Sequence, residues 1–428
     1  MKQIFKEQLS SGTTIITEKK SYYDSMSIGF WIKTGGVYEP PSLNGISHFI
    51  EHMLFKGTKN RSYSDIDKEI DAMGGALNAF TGTELTCFYT KVTAKNYERA
   101  VNLLMDIVFN SLFLEEEIEK EKLVILQEIL GAQDDPHDHI HDLFQKDLYG
   151  DSPLGNSILG TEKNIMDFKR NTIVDYFNSY YTPGNMLISV AGNIDYNAIT
   201  SLAEKYIKKF YHGSAVRRVM HNYSGNGSLK RYGEYAHDRE LDQTHIVIGL
   251  DGIKKTDDDY YAMEVLNTIL GGSVSSRLFQ EVREKQGLAY SIYSNSIFHK
   301  FDGYILVYAG ISPDKLDISK EVIYDIIAGF SDAKINGEEL SNAKKHVSDS
   351  FLLGLESTSN LMTRNALNEI YNGRYLSKKD VLSKIDAVNE ESIFNLSKKL
   401  FSDRNKRVLT ILGRTNDIKN SIKKVVNK

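Results

Sequence analysis

The first sixty residues combine two periods of apolar positions. Between Thr13 and Gly36 the apolar residues come in short runs that end at paired glycines, a pattern typical of β-strands. From Ser42 to Lys56 they recur at every third or fourth residue, which indicates an amphipathic helix, and Gly57 stands where such a helix would end. A strand followed by a helix is therefore predicted here.

The mixed pattern continues through the first half of the chain. Strand-like runs at Ala76–Phe80 and Leu85–Val92 flank the turn sequence Thr81-Gly82-Thr83, which predicts a hairpin. The next predicted elements are helices at Tyr97–Ser111, Glu115–Gly131 and Ile165–Tyr181 and a strand at Met186–Ala191. We therefore expect an α+β fold with segregated helices.

The second half repeats the order of the first. Its predicted elements are a strand at His245–Leu250, a helix at Tyr260–Leu270 and strands at Tyr290–Ile297 and Tyr304–Tyr308. Between the halves lies a segment rich in Gly, Ser, Asn and charged residues with little apolar periodicity. We predict an N-terminal domain over residues 1–212, a linker over 213–241 and a C-terminal domain over 242–428.

Composition excludes several classes of protein. Of the 428 residues, 41% are hydrophobic and 25% are charged, as in ordinary globular proteins. A formal charge of -5 without any Lys/Arg-rich block gives no footprint for nucleic acid. No apolar run is long enough to cross a bilayer, and Met1–Lys20 does not resemble a secretory signal, so we expect a cytoplasmic protein with no membrane partner.

The single cysteine limits the metal chemistry that the chain can support. Cys87 cannot form an internal disulfide or a Cys-based zinc site, so we interpret it as a packing residue in a predicted strand. Any metal must be held by histidines and carboxylates.

One helix carries a candidate metal site. His48 and His52 are four residues apart, so both imidazoles project from one face of the helix, as two ligands of one ion require. Glu51 lies beside them and could take a proton from water activated by zinc, then pass it to the leaving amine. The order His-x-x-Glu-His is the inverse of the common zincin motif.

A third ligand is predicted on the helix Glu115–Gly131. Glu121 and Glu128 are two turns apart, and Glu128 lies in the apolar stretch Val124–Ile129, where a carboxylate is costly unless it is paired or bound to metal. Glu128 is therefore the preferred ligand, and Glu121 is a supporting residue beside it. The other glutamates of this helix form a solvated face paired with lysines.

Rival ligands lie immediately downstream. His137, His139 and His141 alternate and could hold a metal of their own, but alternating residues share a face only in a strand. Because the residues after Pro136 have a helical pattern, we favour a solvated helix start.

The second half of the chain has no metal ligands at the positions equivalent to those of the first when Gly272-Ser273 is aligned with Gly57-Thr58. The alignment places Met263, Leu266 and Asn267 where the first half has His48, Glu51 and His52. Only the first half could therefore hold metal.

Four segments together resemble the pitrilysin/insulinase family of inverted-zincin peptidases, in particular its bacterial, mitochondrial-processing-peptidase-like branch. They are Gly45–Thr58, Gly74–Glu84, Val124–Ile129 and Ser275–Tyr290. The resemblance implies two similar domains, each a mainly antiparallel sheet backed by helices, that face each other as a clamshell around a chamber. It also implies a homodimer.

The resemblance also implies roles for individual residues. His48, His52 and Glu128 would bind one zinc ion per chain, with Glu51 as the base and Glu121 as the supporting glutamate. The remaining residues that it implies contact the peptide: Asn78 and Ala79 on a hairpin edge to which the substrate adds as a strand, Arg283 and Tyr290 across the chamber, and Asp138 and Asp142 as acceptors of a basic residue.

The function predicted from these observations is a zinc endopeptidase that cuts short or unfolded, presequence-like peptides. Two alternatives stay open. The chain could be a binding subunit that has kept the fold and lost turnover, or it could act only with a separate partner chain that supplies the substrate-gripping half. The residues also leave open whether manganese or cobalt could replace zinc.

Overall fold

The structure, a computed structural model, describes residues 4–213 and 230–414. Its strands are β1 Ile4–Gln8, β2 Thr14–Lys19, β3 Ser25–Ile32, β4 Ala76–Thr81, β5 Thr86–Thr93, β6 Met186–Gly192, β7 Gly233–Asp238, β8 Thr244–Asp251, β9 Ala289–Phe298, β10 Gly303–Ile311 and β11 Arg407–Gly413. Its helices are α1 Ile46–Leu54, α2 Tyr63–Ala72, α3 Tyr97–Asn110, α4 Glu115–Asp134, α5 Pro136–Tyr149, α6 Glu162–Asp167, α7 Arg170–Tyr180, α8 Tyr196–Phe210, α9 Tyr260–Leu270, α10 Leu316–Asp332, α11 Gly337–Gly354, α12 Thr358–Asn372, α13 Lys378–Asp386 and α14 Glu390–Phe401.

The described residues form two compact units, each built on one sheet. The six strands of the first sheet lie in the order β1-β2-β6-β3-β5-β4, and the five strands of the second in the order β7-β11-β8-β10-β9. In each sheet one neighbouring pair is parallel, β2 with β6 and β7 with β11, and the other pairs are antiparallel. The predicted α+β class with mainly antiparallel sheets backed by helices is confirmed.

The two sheets share one topology. Strands β2 to β6 of the first sheet and β7 to β11 of the second occupy equivalent places in the same chain order, and β1 is an addition to the first sheet. A helix follows the central strand in each unit, α1 after β3 and α9 after β8. In α9, Met263 and Leu266 are fully buried in the core of the second unit. The repeat expected from the sequence is therefore present, and its second copy uses these two positions for packing.

Each sheet is covered by a helix from the other half of the sequence. Helix α12 belongs to the first unit, where Ser189 donates a hydrogen bond of 2.7 Å to the carbonyl of Met362. Helix α5 belongs to the second unit, where Thr410 donates a 2.8 Å bond to the carboxylate of Asp147. The two units of the described residues therefore have different bounds from the predicted domains 1–212 and 242–428 and linker 213–241.

The predicted linker is only partly described. Residues 214–229 of the range 213–241 lie outside the described residues. Within the remainder, β7 pairs with β11 and is a strand of the second sheet.

Helix α1 is anchored by its apolar face. The buried residues on this face are Ile46, Phe49, Ile50, Met53 and Leu54. Burial of each such side chain contributes roughly 1.5–3 kcal/mol, so the helix is held in a fixed orientation with its polar face away from the core. Gly45 precedes the helix at a φ of 96°, and a Cβ atom there would lie 2.7 Å from the Cα of Gly160, so this start of the helix requires glycine.

Within the described ranges no helix has both the length and the apolar character needed to cross a membrane.

Candidate metal centre

The polar face of α1 and one carboxylate of α4 converge on a single point. The imidazole rings of His48 and His52 have centroids 4.5 Å apart. Their Nε2 atoms lie 3.7 Å and 3.5 Å from Oε2 of Glu128. One ligand atom from each of the three residues lies within 4.8 Å of the others, and no other group of three His, Cys, Asp or Glu residues in the described part of the chain does so.

The donor set of this centre fits zinc. Two imidazole nitrogens and one carboxylate leave a fourth tetrahedral position open, as in catalytic zinc sites. Burial, and to a lesser extent the nearby His52, lower the pKa of His48 to about 4, so its imidazole is neutral near pH 7 and has a free lone pair. The three predicted ligands are therefore placed where they could hold one ion.

Glu128 is more exposed than the sequence predicts. Its side chain is 40% exposed, so burial in an apolar stretch is not what makes its position notable. The apolar neighbours Leu123, Val124 and Leu130 are themselves exposed, at 62%, 43% and 49%. What distinguishes Glu128 is its distance to the two imidazoles, and this distance could not be read from the local sequence.

Glu121 orients one of the imidazoles. Its buried carboxylate accepts a 2.8 Å hydrogen bond from Nδ1 of His52 and pairs with the ammonium of Lys56 at 2.7 Å. Burial acts to raise the pKa of Glu121, but the hydrogen bonds from His52 and Lys56 outweigh burial and hold it below its ordinary value. Because the carboxylate holds the Nδ1 side of the ring, Nε2, which lies 3.5 Å from Oε2 of Glu128, is the nitrogen that would bind an ion.

Sequence reasoning missed Lys56. It follows His52 by four residues, just past the end of α1, so helical spacing places it on the same side as the metal-binding face. That spacing was the available signal. Its ammonium keeps Glu121 ionised, which in turn holds His52 in position.

Glu51 lies on the same helix but outside the ligand triad. Thr81, the last residue of β4, donates a short hydrogen bond to its carboxylate. Burial raises the pKa of Glu51 above its ordinary value, although the bond from Thr81 acts in the opposite direction. A half-buried carboxylate with a raised pKa is a stronger base than a solvated one. The sequence predicts Thr81 in a turn, whereas the structure places it at the end of β4, where it contacts Glu51.

Asn78 and Ala79 lie on the edge strand of the first sheet. Strand β4 pairs only with β5 among the described strands, and Asn78 is opposite Tyr89 in that pair. The side chain of Asn78 accepts a 2.8 Å hydrogen bond from the backbone N–H of Ala79. This edge is available for an added strand.

The other predicted substrate residues belong to the second unit. The guanidinium of Arg283 lies 4.8 Å from the ring centroid of Phe279 and 5.9 Å from that of Tyr290, and it pairs with Glu284 at 3.6 Å. Tyr290 is 78% exposed. The structure thus brings Arg283 and Tyr290 together, and it also places Arg283 in a surface ion pair with Glu284.

Asp138 and Asp142 lie one turn apart on α5. The carboxylate of Asp138 is 3.3 Å from Nδ1 of His137, and both aspartates are exposed. They belong to the second unit, whereas the ligand triad belongs to the first.

We expect Glu121→Gln to weaken zinc binding by about 10–100-fold, because the amide neither accepts from His52 as strongly nor pairs with Lys56. Competition with a chromophoric chelator measures the affinity. The matched control is Glu116→Gln, an exposed glutamate in the first turn of the same helix, which should leave affinity unchanged. Equal zinc affinities of wild type and Glu121→Gln would show that Glu121 does not orient His52 for zinc binding.

Known proteins resemble this chain over most of its length. A model of the family described as Insulinase (Peptidase family M16) matches residues 14–162, and one described as Peptidase M16 inactive domain matches residues 167–347. The chain is 37% identical over 393 residues to an uncharacterized zinc protease, YmxG, of Bacillus subtilis, with 92% of this chain and 94% of that protein covered. It is 35% identical over 404 residues to an uncharacterized zinc protease of Rickettsia felis, with 94% and 96% covered.

Solved structures show the same fold. A protease from Helicobacter pylori matches with a TM-score of 0.87 and 19% identity over 96% of this chain and 99% of that one. A peptidase M16 inactive domain from Pseudomonas fluorescens matches with the same TM-score at 18% identity, over 96% and 98%. With both family matches and relatives above 30% identity over more than nine-tenths of its length, the chain belongs to the insulinase family, peptidase family M16.

Proposed function

We propose that this protein is a zinc-dependent endopeptidase that hydrolyses short or unfolded peptides. The observation that carries the proposal is the convergence of His48, His52 and Glu128 beside a carboxylate, Glu51, that is not itself part of the triad. The relatives named zinc proteases support the same reaction class.

His48, His52 and Glu128 would hold the ion. Zinc, when bound, supplies a Lewis acid that polarises the scissile carbonyl and lowers the pKa of water. Glu51 takes a proton from the attacking water and delivers it to the leaving amine nitrogen. Thr81 holds the Glu51 carboxylate in one orientation through its hydrogen bond, so the proton is received at a fixed position.

The edge of β4 provides the proposed binding site for the peptide backbone. An extended peptide added beside Asn78 and Ala79 would gain main-chain hydrogen bonds with little demand on side-chain sequence. Such binding requires an extended segment, so folded proteins are poor substrates. Arg283 and Tyr290 are proposed to contact the bound peptide, and Asp138 and Asp142 to favour a basic residue upstream of the cut.

Metal removal tests the proposal directly. The protein expressed alone should hold about one zinc per chain at the triad and cleave an unstructured peptide, because the described residues include one such triad. A strong chelator should abolish cleavage, and stoichiometric zinc should restore it. Matched peptides with Arg or Ala upstream of the cut test the basic preference, and the Arg peptide should be cut faster.

Two results would contradict the proposal. Zinc-loaded protein that cuts no unstructured peptide would favour a binding subunit or one that depends on a partner chain. Cleavage that survives complete removal of metal would show that the triad is not the catalytic centre.

A further inference from the structure

Helix α5 places two of its three alternating histidines on one face and the third on another. His137, His139 and His141 could share a face only in a strand, but the segment is helical from Pro136 onward. Residues four apart lie on one face of a helix, so His137 and His141 are neighbours and His139 points elsewhere. The helix therefore creates a pair with the same i, i+4 spacing as His48 and His52.

Both paired imidazoles reach the same oxygen atom. The hydroxyl of Tyr293, on β9, lies 2.9 Å from Nε2 of His137 and 2.8 Å from Nε2 of His141. A phenol carries one proton and can donate it to only one of the two rings. Two nitrogens and one oxygen thus form a compact triangle of donor atoms, all within the second unit.

The geometry of this pair matches that of the first centre. Ring centroids are 5.1 Å apart with an interplanar angle of 67° for His137 and His141, against 4.5 Å and 65° for His48 and His52. An outer carboxylate is present in both places. Asp138 lies 3.3 Å from Nδ1 of His137, as Glu121 lies 2.8 Å from Nδ1 of His52.

We propose that His137, His141 and Tyr293 form a second metal site, which takes a late first-row divalent ion such as Cu²⁺, Ni²⁺ or Zn²⁺. Imidazole nitrogen suits these ions, and Cu²⁺ binds most tightly among them at a given site. For Zn²⁺, metal–nitrogen bonds of about 2.0–2.1 Å in a tetrahedral arrangement separate ligand atoms by roughly 3.3 Å. The two distances from the Tyr293 oxygen to the imidazole nitrogens, 2.9 Å and 2.8 Å, would widen by about half an ångström for Zn²⁺, and the tetragonal geometry of Cu²⁺ or Ni²⁺ requires less widening.

The site is open to solvent and has aromatic walls. The side chain of His137 is 47% exposed, which gives an ion a path to the donor atoms. On the inner side the ring of Tyr308 lies 4.8 Å from that of His137, and the hydroxyl of Tyr308 is held by His245 at 2.9 Å. These contacts limit the motion of the pair and pre-position it for an ion.

The experiment is a Cu²⁺ titration of protein whose first centre already holds zinc. Wild type should bind one equivalent of Cu²⁺ in addition to its zinc. The electron paramagnetic resonance spectrum of this Cu²⁺ should show coupling to two nitrogens. His137→Ala and His141→Ala should each weaken this binding at least tenfold. The matched control, His139→Ala, changes the third histidine of the same helix and should retain it.

Further measurements separate this proposal from the endopeptidase. Zinc content measured alongside shows whether the first centre stays filled, and melting temperatures show whether each variant is folded. Tyr293→Phe keeps both imidazoles and should bind Cu²⁺ more weakly than wild type. The site would be overturned if wild type bound no Cu²⁺ beside its zinc, or if His139→Ala lost as much Cu²⁺ affinity as His137→Ala and His141→Ala. Unchanged Cu²⁺ affinity in Tyr293→Phe would overturn the role of the Tyr293 oxygen as a ligand.

Discussion

Glu51→Gln is expected to lower kcat by about 10²–10⁴-fold while zinc content stays at the wild-type level. The amide has nearly the shape of the carboxylate and can still accept the hydrogen bond from Thr81. It cannot take a proton from water. Because Glu51 lies outside the triad of His48, His52 and Glu128, its replacement leaves the ligand atoms in place.

The measurement pairs steady-state cleavage of an unstructured peptide with elemental analysis of the same sample. Glu98→Gln, at an exposed position in the first turn of α3, is the matched control and should keep full activity. Unchanged turnover in Glu51→Gln would mean that another group is the base. Loss of zinc together with turnover would mean that Glu51 holds the metal.

Asp106→Ala is expected to destabilise the first unit by about 3–5 kcal/mol. Asp106 is fully buried in α3. Its carboxylate accepts hydrogen bonds of 2.6–2.7 Å from four side chains, namely Thr58, Asn60, Arg61 and Asn110. Three of these belong to the loop that follows α1, so the carboxylate joins that loop to α3. Alanine would leave the donors unsatisfied.

Trp31 provides the measurement. It is the only tryptophan of the chain and is buried in β3, so its fluorescence during denaturant unfolding reports on the first unit. Asp71→Ala, at an exposed position on α2, is the control and should change stability by less than about 0.5 kcal/mol. A similar small change for Asp106→Ala would show that the network contributes little.

The destabilisation should also depend on pH. Burial acts to raise the pKa of Asp106, but the hydrogen bonds from Thr58, Asn110, Arg61 and Asn60 outweigh it and lower the pKa. A carboxyl with a lowered folded-state pKa contributes stability that is present above its unfolded value of about 3.9 and is lost as pH falls through the folded value. The difference between wild type and Asp106→Ala should therefore shrink in acid.

Local periodicity was sufficient to predict the helix that carries His48, Glu51 and His52. An apolar stripe at helical spacing requires the intervening polar residues to share the opposite face, whatever the rest of the fold does. The hairpin of β4 and β5 was predictable for the same reason, since alternation and a turn sequence are local properties.

Contacts between distant segments could not be predicted in this way. Tyr293 is separated from His141 by 152 residues, and no local pattern links them. The predicted boundary at residues 213–241 rested on composition, which shows where the chain is polar but not which sheet a helix covers. The placement of α5 and α12 depends on tertiary packing alone.

Helix α12 comes late in the sequence but belongs to the first unit, which has a consequence for synthesis of the chain on the ribosome. It packs against one face of the first sheet, where its residues Leu361, Met362 and Ala366 bury Trp31 and Leu187. While only the first two hundred residues have emerged, that face has no cover and presents apolar surface to the solvent. The first unit can reach its final form only after residue 372 has been translated, so this face of its sheet stays without its helix while most of the second unit is being synthesised.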